Sequence, residues 1–208
     1  MTPYEDLARG VARKIKIDYS DADLARFDVQ NQMDAQIRFL LNVLPAKFLE
    51  AHTRTIRRNF YAGQSQYKWP ADFIRIRTPG LWVRFSIQQE FREAGDRPEQ
   101  TAGSWNSLDL QPADQYPIVT LDGENGFIIK PAPAADVVEG WRLRYVFSHP
   151  PVSSQQKILM NVKWNNLIEI GTAARCAQIG RSKMDLAAEL WQLHDAELEK
   201  LLPKKENQ

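Results

Sequence analysis

Hydrophobic positions along the chain change their period twice, from helical to alternating near residue 53 and back to helical after residue 152. Tyr4, Leu7 and Val11 recur at helical spacing behind Thr2, which can cap, and Pro3, which suits a first helical position. Gly10 weakens that segment. Ser20 or Asp21 then caps a longer helix at about residues 21 to 44, in which Leu24, Phe27, Met33, Ile37, Leu40, Leu41 and Leu44 form one stripe ending near Pro45. The stripe needs an apolar partner.

In the middle of the chain Leu81, Val83, Phe85 and Ile87 alternate with Trp82, Arg84 and Ser86, and Trp141, Leu143, Tyr145 and Phe147 alternate with Arg142, Arg144 and Val146. Both runs predict half-buried strands. Between them Asp122-Gly123 and Asn125-Gly126 separate two apolar runs, the arrangement of a hairpin. Residues 92 to 117 are polar and carry Pro98, Pro112 and Pro117, which predicts a long excursion from the sheet.

Past His149, Pro150 and Pro151 the helical period returns. Met160, Trp164, Leu167, Ile168 and Gly171 share a face, and GTAARCA supplies small residues that let a neighbouring helix approach. Gly180 is a stop signal; Ser182 with Asp185 resembles a capping box opening a last helix through Leu190, Trp191, Leu198 and Leu201, ending before Pro203. The tail 203–208 is expected to be mobile. With no βαβ series, the order helices, strands, helices predicts an α+β fold whose sheet is mainly antiparallel. The segments are 1–52, 53–152, 153–202 and 203–208.

Composition narrows the function classes. The 208 residues are 43% apolar, enough for one large domain or two small ones. The formal net charge of +1 gives no overall field for nucleic acid or an anionic membrane. A single cysteine, Cys176, allows no intrachain disulfide and, with three histidines, leaves little for a soft metal site, which fits a cytosolic origin. No apolar run reaches the length of a membrane span, and MTPYEDLARGVARKIKI lacks the apolar centre of a signal peptide. A soluble, unexported chain is expected.

No motif points to catalysis. His52, His149 and His194 fall in separate elements without metal-ligand spacing, and His194 reads as an interface or surface residue. Cys176 lies in an apolar helix, where thiols are usually inert. Neither GQSQ nor GENG has the spacing of a phosphate loop, and no Gly-x-Ser-x-Gly occurs. No catalytic residue, metal or cofactor is expected.

Charge distribution says more than any motif. Between residues 53 and 84, Arg54, Arg57, Arg58, Lys68, Arg75, Arg77 and Arg84 stand against Asp72 alone. Between 89 and 124 eight acids, Glu90, Glu93, Asp96 and Glu99 among them, stand against Arg92 and Arg97. Either the acidic loop folds over its own basic strands, or copies of the chain meet basic side to acidic side in a head-to-tail contact that can close into a ring. A third reading sets the arginines against nucleic acid, which the neighbouring acids oppose.

The stretch NFYAGQSQYKWPADFIRIR, residues 59 to 77, combines a Gly turn with a Tyr-x-Trp-Pro-x-Asp-Phe run. Pro70 keeps Trp69 out of the helical region and can begin a turn, so that Asp72 and Phe73 start a new strand with Tyr67, Trp69 and Phe73 packed around the corner. Gly63, Tyr67, Trp69, Pro70, Asp72 and Phe73 resemble a motif of the tailed-phage head-to-tail adaptors, also called connector, gateway or head-completion proteins. FIIKPAP, WRLRYVFSHPPV and the closing HDAELEKLL resemble the same family. Trp69 stands where the family more often has Leu, and residues 92 to 117 match nothing in it.

This resemblance implies a non-enzymatic virion protein at the head–tail junction, present in the host cytoplasm during assembly. It implies a ring, commonly dodecameric, that binds the portal protein, receives a tail or nozzle protein, and extends the channel through which double-stranded DNA passes without sequence-specific binding; no membrane is involved. Helices from both ends of the chain are then expected to close one bundle, with the β region inserted between them. Arg57, Arg58, Arg75 and Arg77 facing Glu90, Glu93, Asp96 and Glu99 are the candidate lateral contacts, and Leu201, Leu202, Lys204 and Lys205 the candidate portal-docking element. The alternatives are another virion ring, such as a tail terminator or nozzle-side protein, and a small-ligand domain or enzyme with a pocket inside one subunit.

Overall fold

Helix α4 (Asn165–Ile179) is the centre of a helical unit to which both ends of the chain contribute. In the computed structural model, which describes residues 1–94, 118–123, 125–153, 157–179 and 183–202, helices α1 (Tyr4–Ile15), α3 (Val29–Val43) and α5 (Met184–Glu199) each pack against α4. Small residues permit this crowding: Gly171, Ala173, Ala174, Cys176 and Ala177 are all buried. A Cβ on Gly171 would sit 2.2 Å from Cδ of Gln36 on α3, and one on Gly10 of α1 would sit 2.3 Å from Cδ of Glu169. Gly10 is therefore a contact point between helices, beyond its low helical propensity. The facing stripes, Leu7, Val11 and Ile15 on α1 and Met33, Ile37, Leu40 and Leu41 on α3, are fully buried. Each such side chain contributes roughly 1.5–3 kcal/mol of apolar transfer.

Two local expectations are corrected. Thr2 does not cap α1; Thr2–Pro3 form a short strand, β1, antiparallel to β9 (Lys157–Ile158), and the Thr2 hydroxyl bonds the Asn165 side chain at 2.9–3.1 Å. The helix expected over residues 21 to 44 is two: α2 (Asp21–Arg26), capped by Ser20 Oγ accepting from Asp23 N at 3.2 Å, and α3. Asp28 breaks it by adopting the left-handed region (φ 50°), which its short polar side chain tolerates while accepting from Asn31 and Gln32.

His194 is also corrected, from a surface position to the core. It is fully buried on α5, its Nδ1–H donating to Asp195 at 3.0 Å and its Nε2 accepting from Gln36 Nε2 at 2.8 Å. Arg175 Nε donates to Gln36 Oε1 at 3.3 Å, and the Arg175 guanidinium lies 5.4 Å from the Trp191 ring. Gln36 thus spends both ends of its amide in the core, which is how a buried amide escapes an uncompensated desolvation cost.

The second unit is Thr53–Val146, so Phe147 to Val152, expected at the end of the β region, belong with the helices. One sheet has the order β2 (Thr53–Phe60), β8 (Val137–Phe147), β4 (Phe73–Val83), β5 (Arg92–Glu93); the other is β3 (Gln66–Lys68), β7 (Gly126–Lys130), β6 (Ile118–Asp122). Within this unit β2–β8, β4–β5, β3–β7 and β6–β7 pair antiparallel, and the fold is α+β. The predicted hairpin is β6–β7, closed by Asp122 opposite Gly126 with Gly123 at φ 48°. At Gly126 (φ 155°) a Cβ would lie 1.9 Å from the Tyr67 carbonyl oxygen, so only glycine lets β3 approach here. The strand expected to continue to Ile87 ends at Val83: Arg84 N turns to the Gly140 carbonyl (2.8 Å) and Ile87 is exposed. Beyond Ala94, the excursion to residue 117 lies outside the described residues, as do Gly180, Ser182 and the tail 203–208.

Candidate functional site

The motif residues form the aromatic corner of the β unit. The chain turns at Gly63 (φ 75°), where the Tyr67 hydroxyl accepts from Tyr61 N and donates to Gln64 O, both at 3.1 Å. It turns again at Pro70, whose carbonyl accepts from Phe73 N at 3.0 Å. Between these turns Trp69 stacks on Phe73 (4.9 Å) and Tyr67 on Phe127 (5.3 Å), and Trp69 Nε1 donates to Gly123 O at 2.9 Å. Phe127 meets Trp141 edge-on at 5.2 Å, joining the corner to β8. Asp72 fastens it electrostatically, one carboxylate oxygen taking the Tyr145 hydroxyl and the other Arg54 Nη1, each at 2.8 Å. The Tyr145 pKa is raised, first by burial and then by Asp72.

The basic block lies on and beside the four-stranded sheet. Arg57 faces Arg142 across β2–β8, a like-charge pairing that Glu139 and two aromatic rings offset. Glu139, left-handed at φ 50° beside the register shift between Arg58 and Phe60, accepts from Arg57 Nη1 at 3.1 Å and lies 3.7 Å from Arg84 Nη2. The Arg142 guanidinium stands 4.4 Å from the Trp82 ring and 5.0 Å from Phe91, with Arg84 4.8 Å from Phe91. Sequence reading missed Glu139, Arg142 and Phe91; a lone acid before an alternating run was the only signal.

Arg58 is exposed on β2, an outer strand of its sheet. Arg75 and Arg77 are half-buried on β4; Arg77 Nη1 donates to Thr53 Oγ1 at 3.4 Å, and burial lowers the Arg75 pKa. Glu90 is exposed, and Glu93 pairs with Trp82 on β5. Asp96 and Glu99 lie outside the described residues, as do Lys204 and Lys205. The last helix, expected to run through Leu201, ends at Glu199 with Lys200 as its C-cap, and half-buried Leu201 and Leu202 form the turn after it, both amides donating to the Leu198 carbonyl.

In the helical unit His52 and His149, far apart in sequence, bring their rings to 5.8 Å. Burial, then the neighbouring His149, lowers the His52 pKa to about 4, and the backbone of Leu159 and Phe147 offsets only part of this. Burial lowers His149 too; its Nε2 accepts from Leu159 N at 3.1 Å and its Nδ1 meets the Pro150 carbonyl. Both imidazoles are neutral near pH 7. Burial, followed by Asp28, pushes the Cys176 thiol up to about 12, so it holds no thiolate at neutral pH.

Among the described residues no group of three or more His, Cys, Asp or Glu is placed to hold a metal ion, and no helix is long and apolar enough to cross a membrane. The β unit thus combines an aromatic corner with a cationic face on its four-stranded sheet. Compared with known proteins, the chain matches no family model and no curated protein sequence.

Proposed function

We propose that the chain is a ring-forming head-to-tail adaptor of a tailed phage, docking beneath the portal, extending the DNA channel and presenting the surface to which the tail attaches. The observation that carries this reading is the Gly63–Phe73 motif, which resembles that family's and here builds a rigid corner in a β unit inserted between helices. A corner clamped by Asp72, Arg54 and Tyr145 suits a part that must keep its shape while neighbours assemble on it. Its chemistry is assembly rather than catalysis. Portal rings supply repeated sites, copies dock in order, and the completed ring offers the tail a new surface, with multivalency making the array firm although each contact is weak.

Arg57 is already engaged by Glu139 of its own chain, so exposed Arg58 and Glu90 are the members of the two charge blocks assigned to the lateral contact. The turn after the last helix, Leu201 and Leu202, is assigned to the portal. Passing DNA meets the ring without base readout. Electron microscopy of portal rings from the same genome mixed with this chain tests the proposal: a coaxial second ring below the portal supports it, and bare portal rings at saturating chain count against it. Binding to a tail-tube end in place of the portal would transfer the assignment to a tail-side ring.

A further inference from the structure

The backbone of Leu159 meets two buried imidazoles. Its amide donates to His149 Nε2 at 3.1 Å, and its backbone also bonds His52, whose ring lies 5.8 Å from that of His149. The Nδ1–H of His149 donates to the Pro150 carbonyl, so Nε2 accepts only while the ring is neutral, and a proton placed there abolishes the Leu159 bond. Leu159 directly follows β9, whose two residues pair with β1 as Thr2 with Ile158 and Pro3 with Lys157. A ladder of two residues holds little by itself. The Leu159 bond to His149 fastens its end.

We propose that His149 is an acid-released latch: protonation at Nε2 expels the Leu159 amide and frees β9 together with β1, while the bundle around α4 stays folded. Burial disfavours the His149 cation most strongly, whereas the Pro150 carbonyl and the Asp34 carboxylate of α3 favour it. One Asp34 oxygen holds Arg38 at 2.9 Å; the other, Oδ1, is buried, so water screens its field poorly and it remains the anion that holds an imidazolium here. A charged His52 would oppose a charged His149, and the turns beside the pair carry Lys47, Glu50 and Lys163. With burial holding His149 below the ordinary histidine range, the latch is closed at neutral pH and opens as the pH falls through the folded value. Global acid instability would loosen the helical unit as a whole, whereas the latch confines the first opening to one bond and the short ladder behind it. It does not depend on the assembly reading.

Amide hydrogen exchange of the full chain, followed by nitrogen–proton NMR from pH 7.5 to 4.5 and divided by the intrinsic exchange rate, tests this. Protection of the Leu159 amide should fall about tenfold or more relative to that of Ala174, buried in α4, over the pH range in which the His149 imidazole takes up its proton at Nε2. Asp34→Asn should keep the Leu159 bond at pH 7.5 and move both events together to lower pH by about half a unit or more, because the carboxylate no longer favours the cation. Imidazole nitrogen shifts at pH 7.5 should place the proton of neutral His149 on Nδ1. Leu159 protection that declines only in step with Ala174, or without titration of His149, overturns the proposal. So does a neutral His149 protonated on Nε2, or an Asp34→Asn chain that opens at the unsubstituted chain's pH.

Discussion

Asp72 accepts a hydrogen bond from the Tyr145 hydroxyl at 2.8 Å, so the motif corner is tied to the C-terminal end of β8, 73 residues further along the chain. The other oxygen of the same carboxylate holds Arg54 of β2 at 2.8 Å. Asp72→Ala leaves the Tyr145 hydroxyl without this acceptor and Arg54 without this pair, and should cost about 1–3 kcal/mol, mostly from the hydroxyl because the ion pair is half exposed. Tyr145→Phe alone should cost about 1 kcal/mol. Urea denaturation of both variants and their double mutant checks this: the double should lose less than the sum. Strict additivity would mean that the two side chains are not coupled.

Gly171 and Gln36 form a second coupled pair. Gly171→Ala places a methyl group 2.2 Å from the Gln36 amide carbon and should destabilise the helical unit by about 1–3 kcal/mol. Gln36→Ala removes the obstruction together with the Gln36 bonds to His194 and Arg175. Thermal unfolding of the double variant should show a loss smaller than the sum by more than about 0.5 kcal/mol.

Acid should weaken the fold through His52. Its folded pKa, lowered to about 4, lies below the ordinary value near 6.5, so between those values the unfolded chain binds a proton that the folded chain does not. Stability is full above pH 6.5 and falls as the pH drops toward 4, with a slope of up to about 1.4 kcal/mol per pH unit. His149 contributes with the same sign. Denaturant midpoints measured from pH 7.5 down to 4.5 should trace this loss, and His52→Gln should flatten it.

If Arg58 and Glu90 meet between neighbouring copies, Arg58→Glu should stop ring completion on portal rings while leaving the monomer folded. Combining it with Glu90→Arg should restore the ring, because the pair is rebuilt with its charges exchanged. Sedimentation of the portal complexes reads the outcome; complete rings from the single variant would exclude this pair.

Local chemistry was the legible part of this fold. The β6–β7 hairpin follows from its glycines, the α2 cap from Ser20, and the crowding around α4 from the small residues of GTAARCA. Asp28 offered no comparable signal, since a left-handed Asp within an apolar stripe is no breaker by composition. His194 was misplaced because its partner Gln36 is 158 residues away, and pattern along one element cannot report a bond of that span. The corner was legible for the same reason the hairpin was: Gly63, Pro70 and the aromatics between them act within a dozen residues. The Glu139–Arg57 pair and the approach of His52 to His149 arise only when distant segments meet.

Native mass spectrometry of portal rings from the same genome, titrated with the full chain, tests the adaptor assignment most directly. The expected result is a saturable complex whose added mass equals one chain per portal subunit, or a complete second ring. Portal rings that keep their own mass beside a monomeric chain, across the full titration, would contradict it.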